Sequence, residues 1–150
     1  MIIDWSYIDD ASNGNPVLRL ELLRLLRVQV VSAPDELSRL VSSSDYEALS
    51  ALAHKYKSTA RTIANTPLIE ALLQIENNCK KIISLRQIAQ NTAFAKSFII
   101  SPLTENETTD NEKQCLSNIQ DQIKICKLQC KSVAQQVDAE IDRISPDVEP

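Results

Sequence analysis

A single histidine, His54, occurs in these 150 residues, and the residues around it give it a definite orientation. Leu49, Leu52, Ala53, Tyr56, Ala60 and Ile63 recur at the three- and four-residue spacing of one helical face packed on a core. At roughly 100° per residue, His54 lies about 150° from the centre of that stripe. Lys57, Ser58 and Arg61 are expected on the same outward side, so the imidazole should face solvent with cations beside it. Such a ring is partly neutral near pH 7 and can act as a nucleophile. A lone histidine on a polar helix face is more often plain surface, and this local spacing alone does not decide for chemistry.

The other candidates are four cysteines, Cys79, Cys115, Cys126 and Cys130. Cys126 and Cys130 share a helical face at chelating distance in sequence. Zinc asks for four ligands, however, and His54 belongs to a helix expected to face elsewhere. Both thiols also sit in an unbroken apolar seam, Leu116, Ile119, Ile123, Cys126, Cys130, Val133, Val137 and Ile141. A reduced buried cysteine behaves as a small apolar group, so the thiols are read as core and no metal site is expected.

The elements that must position His54 are helices. One glycine and six aromatics leave little material for strands and tight hairpins, while Leu, Ile, Ala, Lys, Gln and Glu favour helix. A short helix is predicted over 3–11, capped by Asp4, with Trp5 and Ile8 on the face that closes one end. Ser12-Asn13-Gly14-Asn15-Pro16 is a strong break. A helix over about 16–43 follows, with a kink or restart near Ala33 because Pro34 lacks an N–H. Leu22, Leu26, Leu37, Leu40 and Val41 are its core-facing residues.

Asp45 caps the helix that carries His54, and that helix should end near Asn65-Thr66, ahead of Pro67. A helix from Pro67 to about Phe98 places Leu68, Leu72, Ile75, Cys79 and Ile82 or Ile83 inward. Residues 101–111 read as a mobile polar loop, about 112–144 as the last helix, and 145–150 as a frayed tail. The expected fold is one all-α domain over 1–150. It is an antiparallel up-down four-helix bundle with a short N-terminal capping helix and an elongated C-terminal helical hairpin.

Composition excludes several functions. A net charge of −4 argues against a nucleic-acid binder. Asp4, Asp9 and Asp10 stand where a secretion signal would be basic, and Arg19, Glu21 and Arg24 interrupt the Leu-rich run from Leu18 to Leu26. A soluble, cytoplasmic protein without membrane contact is expected. One glycine cannot make a glycine-rich nucleotide loop, so no ATP-dependent kinase activity is expected.

His54, Lys57, Ser58 and Thr59 resemble the signature of histidine-containing phosphotransfer (HPt) domains, His-x-Leu-Lys-Gly-Ser. Tyr56 stands for the Leu, Ser58 for the Gly, Thr59 for the Ser, and Ala64-Asn65 for a later Gly-Ala pair. Gly14-Asn15 resembles the family's Gly-Asp ahead of a long helix, Asp45 its Asp before the active helix, and Leu68 and Ile75-Glu76 its Leu and Leu-Glu positions. The match covers about residues 3–78, with a weaker helical match beyond.

The resemblance implies a phosphorelay intermediate. His54 would take a phosphoryl group from a receiver-domain aspartate and pass it to another, with Lys57 near the phosphoryl oxygens and Ser58 and Arg61 at the partner interface. The partners implied are response-regulator receiver domains or a hybrid sensor histidine kinase. No cofactor is implied on this chain, Mg²⁺ belonging to the receiver. Nothing requires more than a monomer, and a stand-alone protein and a domain of a larger kinase are equally compatible with the sequence. Serine in place of the family's glycine narrows the space beside the histidine. Thr59 is expected to bond back to the carbonyl of Lys55. The alternative is an HPt-like interaction module that binds signalling partners without carrying phosphate.

Overall fold

In the computed structural model, residues 3–96 and 105–148 are described. They form five helices: α1 Ser6–Ser12, α2 Pro16–Ser42, α3 Tyr46–Thr62, α4 Thr66–Lys96 and α5 Glu105–Val148. The protein is all-helical, with no strand among the described residues.

The turns follow from local chemistry. Asn13 and Gly14 have φ of 48° and 76°, a backbone region that asparagine and glycine adopt at least cost. Asn15 then caps α2, its side chain accepting from the N–H of Val17 at 3.0 Å and of Leu18 at 3.2 Å, and Pro16 fills the first helical position. Asp45 caps α3 through the N–H of Ala48 at 3.1 Å. α3 stops at Thr62, short of the expected end. Ala64 reverses the chain at φ 52°, and Asn65 serves the next helix by accepting from Leu68 N–H at 3.0 Å.

Other features differ from expectation as well. α1 begins at Ser6, because Asp4 folds its carboxylate onto the Ser6 N–H at 2.9 Å before the helix starts, and Ile3 N–H is spent on Gln136 at 3.0 Å. α2 runs through Pro34 without a restart. Proline removes one backbone bond, but Pro34 is itself buried beside Ala33, and Leu37 and Leu40 continue the packing beyond it. α5 begins at Glu105, so the expected loop is helical over its described part, and it continues through Pro146 to Val148, where a frayed tail was expected. Extending a helix already nucleated costs little, and Arg86 on α4 holds Glu112 at 2.8 Å near the start of the packed stretch. The remainder of that loop, and residues 149–150 of the expected tail, lie outside the described residues.

α2 packs against α3 and α5, α3 against α4, and α4 against α5, while α1 rests on α2. All five helices contribute to one hydrophobic core or its margin, in which Leu23, Leu37, Leu49, Ile75, Ile119 and Val133 are fully buried. The α5 seam is buried from Cys115 to Val137, with Leu116 and Ile141 at its margins. Burial pushes the thiols of Cys79 and Cys126 up to about 12 and that of Cys130 up to about 11, so they are protonated apolar groups at neutral pH. Among the described residues no helix is long and apolar enough to cross a membrane.

Candidate functional site

His54 projects from the middle of α3 with 65% of its side chain exposed. Opposite it on α4 lies Glu76, whose side chain is only 8% exposed. The Nδ1 atom of His54 is 3.2 Å from Glu76 Oε1. Two ammonium groups share the same carboxylate: Lys57 donates to Oε2 at 2.7 Å and Lys80 donates to Oε1 at 3.1 Å. Hydrogen bonds from Lys57, above all, with those from Lys80 and His54, hold the Glu76 carboxyl down to about 2 against the opposing effect of burial. An ionised carboxylate can only accept, so it fixes the imidazole proton on Nδ1. The free lone pair is then on Nε2, on the far side of the ring.

The four residues singled out from sequence do not all come together. Ser58 and Arg61 are exposed, on the His54 side of α3. Lys57 is not: it is 6% exposed and its ammonium is committed to Glu76. Three residues along a helix amount to about 300°, which swings Lys57 from the His54 direction back toward the apolar stripe. α4 packs over that flank, so the stem is covered and the charge meets the one buried carboxylate within reach. Thr59 also differs from expectation, donating to Gln29 Oε1 of α2 at 2.8 Å and not to the backbone of its own helix.

Ser58 rims a shallow groove of about 300 Å³ between α3 and the α1–α2 side, where Tyr7, Leu22, Leu25 and Leu26 present apolar surface. Tyr56, also facing α2, donates to Glu36 Oε2 at 2.7 Å and ties α3 to α2. Desolvation, with Glu36 beside it, pushes the Tyr56 hydroxyl up to about 12.

Glu76 and Lys80 were not legible from sequence as parts of the site. Their four-residue spacing puts them one turn apart on the same face of α4, but only the packing of α4 on α3 brings that face to the imidazole. No protein-family model matches this chain, and no curated protein or solved structure matches it.

Proposed function

We propose that this protein is a phosphorelay intermediate of the HPt kind, which accepts a phosphoryl group on His54 from a receiver-domain aspartate and passes it to another. Its architecture on this reading is an antiparallel up-down four-helix bundle, α2 to α5, with α1 closing one end, and the ring of helix neighbours supports that arrangement. The observation that carries the proposal is the exposed imidazole whose Nδ1 is held by a buried, ionised carboxylate.

That arrangement suits the reaction. Phosphoryl transfer needs in-line positioning and charge stabilisation more than covalent help. The Nε2 lone pair attacks phosphorus as the O–P bond to the donor aspartate breaks, and the bonding electrons return to that carboxylate. The Nδ1 proton stays in place, and Glu76 offsets the positive charge that develops on the ring. The reverse sequence discharges the group to a second aspartate. The apolar groove beside Ser58 offers a docking rim for the partner's surface. Mg²⁺ would be supplied by the receiver. The setting is cytoplasmic.

The test is incubation with phosphorylated receiver domains, followed by an assay for acid-labile phosphate. Wild-type protein is expected to take up label and His54→Gln to take up none. Equal labelling of both, or none of either, refutes the transfer reading, and receiver binding without labelling would make the chain a docking module.

A further inference from the structure

The residue that meets the phosphoryl group is not the lysine in the His-x-x-Lys pattern. We infer that Lys80, one turn beyond Glu76 on α4, is the cation that reaches the phosphoryl oxygens on His54, while Lys57 is a positioning residue that never leaves the carboxylate. The inference rests on the relay reading of His54 and assigns that site its charge-stabilising residue.

Burial separates the two lysines. The Lys57 side chain is 8% exposed and sits on Glu76 Oε2 at 2.7 Å; releasing it would strand a carboxylate in a dry environment. The Lys80 side chain is 63% exposed, and its contact with Oε1 at 3.1 Å is a solvent-washed pair within one helix. Oε1 is also the atom that holds His54 Nδ1, so the Lys80 ammonium lies within two hydrogen-bond lengths of Nδ1, with Nε2 across the ring beyond it. A lysine is a point charge on four rotatable carbons and can swing through such a distance. When it leaves Oε1, the His54 N–H and Lys57 still hold Glu76, so no buried charge is orphaned.

Among the described residues, the groove that Lys80 borders offers no second carboxylate for the freed ammonium. It is a broad polar groove between α4 and α5 whose lining includes Gln74, Asn77, Asn78, Lys81 and Gln114. The alternative cations are less well placed. Arg61 lies two turns from His54 along α3, and Lys55 turns away, its ammonium 5.7 Å from the centre of the Tyr56 ring. Phosphorylation of Nε2 would therefore exchange one partner of Lys80, Oε1, for another of greater charge.

The experiment uses the full chain in two arms. In the first, the initial rate of phosphoryl uptake from a phosphorylated receiver is compared for wild type, Lys80→Gln, Lys80→Arg and Lys57→Met. Lys80→Gln is expected to slow uptake about tenfold, less than the loss of a rigidly fixed donor because a lysine is mobile. Its thermal midpoint should be unchanged, and Lys80→Arg should keep most of the rate. In the second arm, wild type and Lys80→Gln are phosphorylated chemically with phosphoramidate, and the phosphohistidine ³¹P shift and hydrolysis rate are measured. A different shift and faster hydrolysis in Lys80→Gln are expected. Identical values in both proteins overturn the Lys80 assignment even if no receiver donates. Uptake by Lys80→Gln at the wild-type rate overturns it as well. Failure of wild type to accept from any receiver, with the second arm positive, sinks the relay reading and leaves the Lys80 contact standing.

Discussion

Glu76 is the residue on which the site turns, because one buried carboxylate answers three donors from two helices. Its folded-state pKa of about 2 lies below the ordinary 4.5, so ionised Glu76 stabilises the fold above the ordinary value. That contribution is lost as pH falls from about 4.5 through about 2. Urea midpoints measured between those limits should fall more steeply for wild type than for Glu76→Gln; parallel curves would show that the carboxylate is not held down by its partners. Lys57→Met tests the same group from the other side. It leaves Oε2 without its donor in a buried position while His54 and Lys80 still cover Oε1, so a loss of about 2 kcal/mol in urea unfolding is expected. No loss would mean that the lysine is a surface residue after all.

At the scale of the element, α3 works because both of its ends are decided by short polar side chains. Asp45 satisfies the Ala48 N–H at the start, and the reversal at Ala64 frees Asn65 to cap α4 directly afterwards. The two helices that face each other across His54 and Glu76 are therefore joined by a connection too short to let them slide. Asp45→Ala should cost about 1 kcal/mol in denaturant unfolding. A change near zero would indicate that water or a neighbouring group takes over the cap. The same closeness explains why Lys57 is buried: once α4 is pinned to α3, the flank between the apolar stripe and His54 is interior.

At the scale of the molecule, the core holds the imidazole outward by leaving it no part in packing. Ile75, directly before Glu76, is fully buried, whereas Leu128 on α5 is 70% exposed. Ile75→Ala should lower unfolding free energy by about 3 kcal/mol and Leu128→Ala by less than about 0.5 kcal/mol. Similar losses at both positions, by thermal or chemical unfolding, would contradict the assignment of inner and outer faces. Two ion pairs add register between α2 and α5: Arg27 with Asp138, exposed and contributing little, and Arg19 with Glu140, whose side chains are mostly covered.

Much of this was legible in the chain itself. The three- and four-residue spacing of Leu, Ile, Val and Cys marked the faces of the long helices, because burial acts on every turn and repeats along the sequence. Asn15, Asp45 and the Ser12–Pro16 break marked boundaries, because a cap acts on backbone groups two or three residues away. The exposure of His54 followed from its angle to the stripe. Helix boundaries set by distant contacts did not follow: Ile3 on Gln136 shortens the start of α1, and burial of Pro34 carries α2 past a residue that would otherwise break it. Nor did the company of His54. Helical spacing states how far a side chain turns from its own core stripe, but which neighbour covers that flank depends on how α4 packs across it. The carboxylate that binds the imidazole, the burial of Lys57 and the open position of Lys80 are all consequences of that one contact, made between residues about twenty apart in the chain and governed by distances that no local pattern encodes.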